Sequence, residues 1–351
     1  MAKIFYSVCG VGLGHAMRST PLINFLLDSG HEVIIASYWN AFDYLKKKFG
    51  QHQEAKVVNI LANQENYKFK LEFYDVPVVP NVLAENFLKI SKNVKNFDPD
   101  LIISDFDIFS SLIGFIQDIP VLMVSNVHLS EYYKIKLGIK DQLNYMFKER
   151  AVINGFPRVN RLFLFGFVRP KELPKNVKFF FHPVREEIIS LRPQKKDFFL
   201  VYSLPKELDK IIPLLKKFED KKFVVYGANK HFKSNNLTVK TFDQNDFSYD
   251  LANCAGVMSH GGLSTICESI YLKKPLYLFC DTRFFERFYN AKLVQEKKIG
   301  YMEEKPTFNG LKHFFDQLPS YEKYVEKIEY FPENQKITKE IKKLIEEHSA
   351  K

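Results

Sequence analysis

A rhythm limits this chain's fold more than any single residue does: short apolar runs alternate with amphipathic stretches, and the series occurs twice. "KIFYSV" (3–8) leads into a helical pattern from about His15 to Ser29, with Gly30 at its end. "EVIIAS" follows, then a helical stretch around Asn40 to Phe49, then "AKVVNI". "PDLIIS" (99–104) precedes a helical segment near Ile108 to Gln117, and "IPVLMVSN" (119–126), "RLFLFGF" and "VKFFFHP" close the first series. Continuous apolar runs without polar alternation suit strands covered on both faces, as in a parallel sheet with helices on each side. "EEIISLRPQKK" reads as a linker. "DFFLVYS" (197–203) opens the second series, followed by a helix near 206–218, the strands "KFVVYG", "LTVKTF" and "AGVMS", a helix 263–273, the strand "PLYLF" and a helix 284–297. The expectation is α/β with two doubly wound domains, 1–184 and 185–335, and an amphipathic helix in 336–351 that packs back across the domains.

Composition narrows the partners. A hydrophobic share of 46% and a charged share of 26% describe a folded protein rather than a disordered one. The net charge of +10 is spread along the chain without a dense basic block, and no nucleic-acid-binding module is present, so no nucleic-acid partner is expected. Aromatic residues make up 15%, and with the basic charge they suit an anionic membrane surface. That combination is densest in 131–161, where Lys134, Lys136, Lys140, Lys148, Arg150, Arg158 and Arg161 interleave with Tyr132, Tyr133, Leu137, Leu143, Tyr145, Met146 and Phe147. Such a segment fits a headgroup surface, or equally a packed helix with a solvated lysine face. Cys9, Cys254, Cys267 and Cys280 form no C-x-x-C pair and read as buried thiols. No leader-like charged and apolar segment and no spanning apolar run occurs, so the expected location is cytoplasmic, with peripheral contact at the membrane's inner face.

Two glycine-containing turns carry the chemistry. "CGVGLGHAMRS" joins the first strand to the first helix, and its Gly10, Gly12 and Gly14 let a backbone approach a ligand closely. A dinucleotide fingerprint fails here, since His15 holds the third glycine position and the second strand ends without an acidic residue. No P-loop sequence occurs. The second turn, "SHGGLSTICE", ends a strand in His260, Gly261 and Gly262 and opens a helix with Ser264 and Thr265. Helix-start amides plus two hydroxyls make an anion cradle. Glu268, one turn along, can accept from two vicinal hydroxyls such as those of a ribose, or can simply be a solvated carboxylate on a capped helix.

Taken with "KKPLYLFCDTRFFERFYNAK", these motifs make the chain resemble the GT-B glycosyltransferases, in the branch of the peptidoglycan N-acetylglucosaminyltransferase that acts on a lipid-linked substrate. The donor motif of that group is matched by His260, Gly261, Gly262, Thr265, Glu268, Pro275, Glu286, Asn290 and Ala291, and its glycine loop by Gly10, Gly12, Gly14, His15, Arg18 and Ser19. Arg287 stands where relatives commonly carry a glutamine that helps hold the donor sugar. The resemblance implies two Rossmann-like domains facing across a cleft, with a nucleotide-diphosphate sugar, uridine-linked by expectation, held by Gly12, Gly14, His260, Gly261, Gly262, Ser264, Thr265, Glu268, Glu286, Arg287 and Asn290. It implies His15 as the catalytic base or a hydrogen-bond donor to phosphate, and Arg18, Asp105, Asn126 and His128 on the side of a glycan or lipid-linked acceptor. Transfer would be inverting, with amides rather than a metal taking the leaving group's charge, and no cofactor is expected. "SDFD" (104–107) contains a literal D-x-D, which reads instead as a strand-end turn with helix-capping aspartates. A sugar-nucleotide hydrolase or 2-epimerase on the same scaffold, and a non-catalytic glycan- or nucleotide-binding subunit, are the alternatives.

Overall fold

Two seven-stranded sheets reproduce the two series of apolar runs. In the first, β1 (Lys3–Val8), β2 (Glu32–Ser37), β3 (Ala55–Asn59), β4 (Leu101–Asp105), β5 (Val121–Ser125), β6 (Arg161–Gly166) and β7 (Val177–Phe181) lie in the order β3-β2-β1-β4-β5-β6-β7, all parallel. The second contains β8 (Phe199–Tyr202), β9 (Phe223–Tyr226), β10 (Phe232–Ser234), β11 (Leu237–Lys240), β12 (Gly256–Ser259), β13 (Leu276–Phe279) and β14 (Gly300–Glu303). Its order is β10-β11-β9-β8-β12-β13-β14, parallel throughout except for the β10–β11 hairpin at the edge. The computed structural model describes residues 1–10, 13–60, 80–228, 231–280 and 285–348. One unit comprises Met1–Tyr133, Met146–Pro183 and Glu333–Lys351; the other comprises Lys134–Tyr145 and Val184–Pro332.

Both orders reverse once, between β1 and β4 in the first sheet and between β8 and β12 in the second. Loops leaving the carboxyl ends of two such strands diverge to opposite faces, and the crevice between them is where open α/β sheets bind ligands. Both glycine turns singled out above start at these points.

Burial explains the unbroken apolar strands. Ile4, Tyr6 and Val8 face one layer, with Leu22, Ile23 and Leu26 of the helix Gly14–Asp28. Phe5 faces the opposite layer, with Ile90 and Val94 of the helix Pro80–Phe97 and Ile113 of the helix Ile108–Ile116. Neither strand face meets water, so no alternation is written into the sequence. The terminal helix Asn334–His348 completes the first layer: Ile337, Ile341, Leu344 and Ile345 are buried in the same cluster. Glu333, just before it, accepts the Phe181 backbone N–H at 2.9 Å, and Lys178 pairs with Glu340. Ile341→Ala should therefore cost about 2–5 kcal/mol, the range for truncating a core aliphatic. Urea unfolding reads this directly, and a change under about 0.5 kcal/mol would mean that the helix is not part of the core.

Several features differ from the sequence expectation. The helices Pro80–Phe97 and Gln244–Asn253 were not foreseen, and the stretch expected as a linker contains the short helix Glu186–Ile189. All four cysteines are buried free thiols. Among the described residues, no helix is long and apolar enough to cross a membrane.

Candidate functional site

At the reversal point of the first sheet, Asp105 ends β4 with none of its surface exposed. The helix Gly14–Asp28 brings three donors to it. His15 Nδ1 lies 2.8 Å from Oδ1, Arg18 Nε donates to Oδ2 at 2.8 Å, and Ser19 Oγ donates to Oδ2 at 2.7 Å. Arg18 Nη2 also donates to Oδ1, and Arg18 Nη1 donates to Asn126 Oδ1 at 2.6 Å. The spacing is a helix property, since residues 15, 18 and 19 share one face. Burial would raise the Asp105 carboxyl, but the Arg18 charge and His15 outweigh it and hold the group well below the usual carboxylate range.

Arg18 Nη2 also lies 2.9 Å from His15 Nδ1. A guanidinium only donates, so Nδ1 cannot both accept from it and donate to Asp105. Arg18 already donates to the carboxylate and Asn126, so Nδ1 carries the proton and makes the charge-assisted bond to Asp105. This leaves the Nε2 lone pair pointing away from Asp105, on a side chain 14% exposed. Arg18, Asp105 and Asn126 were expected to line the acceptor side. They are instead 5%, 0% and 5% exposed, and form a buried support under His15. His128 is buried as well, with Nδ1 2.8 Å from Ser125 Oγ, and burial pushes its imidazole down to about 4. His182, not foreseen, is pushed down to about 3 by burial, with Arg18 adding to the effect.

The D-x-D turn divides by position. Asp107 caps the helix Ile108–Ile116, accepting Ser110 N–H at 2.9 Å, and takes Ser7 Oγ at 2.7 Å. Asp105 caps nothing; it is the carboxylate paired with His15. Gly12 lies outside the described residues. A side chain at Gly14 would meet only open space, whereas one at Gly10 would strike the ring and carbonyl of Tyr38. Gly10 is thus needed for packing.

In the second unit, β12 runs into His260, Gly261 and Gly262, and the helix Leu263–Tyr271 starts at once. Gly261 has φ +86°, and a Cβ there would lie 3.0 Å from the Arg287 carbonyl, so only glycine lets this turn lie against the helix Phe285–Glu296. The N-cap is Gly262, which has no side chain to satisfy the first-turn amides. Ser264 is half-buried and Thr265 buried in that turn. Two buried polar atoms at this site, His260 Nδ1 and Asn290 Nδ2, have no partner among the described residues. Such atoms cost about 1–3 kcal/mol each unless a ligand or water meets them. Burial, with the Arg287 charge adding, pushes the His260 imidazole down to about 3. Glu286 and Arg287 are half-buried on the neighbouring helix.

Glu268 is not the solvated carboxylate that is the second sequence alternative. It is 3% exposed and takes a two-pronged bond from Arg185, Nε to Oε1 at 2.6 Å and Nη2 to Oε2 at 2.9 Å. A carboxylate has about four lone-pair directions, so this pairing orients Glu268 without exhausting it.

A family model, glycosyl transferase family 1, matches residues 2–319. The chain belongs to that family. Glycosyltransferases also appear among its relatives: proteins from Methanosarcina mazei and Methanosarcina acetivorans, each described as an uncharacterized glycosyltransferase, are 22% and 21% identical. Each comparison covers 86% of this chain and 85% of the relative. Among solved structures, the glycosyltransferase of kitacinnamycin aligns over 99% of both chains with a TM-score of 0.68 and 14% identity. The calicheamicin glycosyltransferase CalG4 aligns over 93% of each, with a TM-score of 0.64 and 14% identity. The fold is GT-B, and the enzyme is a glycosyltransferase.

Proposed function

We propose that this glycosyltransferase moves a hexosyl group, with inversion, from a uridine-diphosphate sugar to a hydroxyl acceptor, using His15 as general base. The observation that carries this reading is the 2.8 Å contact between His15 Nδ1 and the buried Asp105 carboxylate at the reversal point of the first sheet. In the reaction, Nε2 takes the proton as the acceptor oxygen bonds to the anomeric carbon, the bond from that carbon to the diphosphate oxygen breaks, and the nucleoside diphosphate leaves with the electron pair. Asp105 steadies the imidazolium that results. The glycine turn at 260–262, the amides of the following helix, Ser264 and Thr265 take the diphosphate's charge, so no metal is required for that role. Glu268, oriented by Arg185, receives the ribose hydroxyls. Arg287, whose backbone lies against Gly261, and Asn290, whose buried Nδ2 has no partner among the described residues, are assigned to the donor sugar or phosphate. N-acetylglucosamine is the sugar to test first, by the resemblance to the peptidoglycan enzyme.

A thermal-shift panel of uridine, guanosine and thymidine diphosphates and their sugars tests the donor. A ligand at ~100 times its Kd stabilises the fold by ~2.7 kcal/mol. Glu268→Ala should remove the uridine nucleotide's shift; an undiminished shift overturns the ribose assignment. Rapid sugar release from donor alone, with no acceptor gain, would indicate the hydrolase instead.

A lipid-linked acceptor at a membrane surface is supported by Met146 and Phe147, 53% and 75% exposed, with Arg150 also exposed. The protein should co-float with anionic vesicles at low salt, and Phe147→Asp should weaken this. Equal recovery with neutral and anionic vesicles would remove the membrane from the account.

A further inference from the structure

Between Asp105 and the helix-capping Asp107 stands a residue that the His15–Asp105 pair does not use. Phe106 has φ +56°, a backbone conformation that a bulky L side chain adopts only against a steric penalty. The turn has to send Asp105 toward Arg18 and Ser19 and Asp107 toward Ser7 and Ser110. A glycine at 106 would make that turn without penalty. The chain instead places a half-buried aromatic ring there, so the ring itself has to account for the strain.

The ring's surroundings indicate its use. Its centroid lies 6.2 Å from that of His15 at an interplanar angle of 18°, and 5.0 Å from Phe156, which is also half-buried. His128 closes the back edge-on, 6.2 Å from Phe106 and 5.7 Å from Phe156. Burial keeps that imidazole uncharged, and Ser125 occupies its Nδ1, so it contributes a wall rather than a base. All four rings belong to the first unit. A base needs its proton donor within about 2.6–3.2 Å. The acceptor hydroxyl therefore sits beside a ring stacked with Phe106, which puts Phe106 among the side chains an acceptor can reach.

We propose that Phe106, backed by Phe156, is a stacking platform that binds the acceptor by the face of a hydroxyl-bearing ring, a pyranose or an aromatic ring, and sets that hydroxyl on His15. This rests on the reading of His15 as base. A flat ring is selected because an aromatic face gains contact over the whole of a ring and over only part of an open chain.

The test uses Phe106→Gly, Phe106→Leu and Phe156→Ala in the full chain. Acceptor KM is measured with octyl glucopyranoside, 4-nitrophenol and an open-chain octanediol, donor affinity by thermal shift, and probe binding by saturation-transfer NMR without donor. Loss of one aromatic contact should raise KM for the ring acceptors about 3–10-fold, with little change for the diol and none in donor affinity. The Tm of Phe106→Gly is recorded beside KM, since glycine relieves the positive φ while the lost ring packing opposes it. Which ring probe binds separates a sugar face from an aromatic one. An equal rise for diol and rings, or an unchanged ring KM, overturns the platform. If no donor gives turnover, the base assignment fails separately, and the NMR decides alone: saturation transfer to ring protons that vanishes in Phe106→Gly supports the platform, and transfer that persists refutes it.

Discussion

Replacing His15 by alanine is expected to lower kcat for sugar transfer by about 10²–10⁴-fold, the usual contribution of a positioned general base, while donor affinity stays near that of the native enzyme. The two quantities separate because His15 belongs to the first sheet's reversal point, and the glycine turn assigned to the diphosphate belongs to the second's. A base acts only as the acceptor proton moves, so its loss falls on kcat rather than on ground-state binding. Steady-state transfer kinetics beside thermal-shift titration with the donor read both. A tenfold loss of donor affinity with kcat intact would make His15 a phosphate ligand, the other role that its sequence position allows.

Asp105→Ala should have the largest effect on stability, about 3–5 kcal/mol, because it leaves the Arg18 charge buried without its carboxylate. Asp105→Asn keeps the volume and one acceptor oxygen and should cost less, yet it loses the charge that fixes the His15 tautomer. The two variants therefore part company: alanine shows mainly in unfolding, asparagine mainly in kcat. Acid adds an independent check. The carboxyl is held below its unfolded value of about 3.9. Its contribution is complete above that value and is lost as the pH falls toward and through the lower native value. Urea midpoints taken between pH 7 and pH 3 should fall more steeply for the native enzyme than for Asp105→Asn; parallel curves would contradict the ion-pair account.

The sheets were legible because buried parallel strands leave continuous apolar runs, and "KIFYSV", "EVIIAS" and "DLIIS" have few other structures open to them. The helix Pro80–Phe97 carries its signal at Phe87, Ile90, Val94 and Phe97, but lysines and asparagines between them dilute it. His15 and the 260–262 turn could be found because glycine, histidine and a helix start adjoin in sequence. Their partners could not: Asp105 is 90 residues from His15, and Arg185 is 83 residues from Glu268, just before what reads as a linker. Sheet order brings the first pair together, and no local pattern encodes it. The left-handed Phe106 was equally hidden, since nothing in "SDFD" announces a strained aromatic.

The central claim is that His15 and Asp105 act as one unit. A double-mutant cycle on kcat, with His15→Ala, Asp105→Asn and the two combined, tests it most directly. If Asp105 works through His15, the double variant will be no slower than His15→Ala alone. Losses that multiply in the double variant would mean that the two residues act separately, and the proposed mechanism would be wrong.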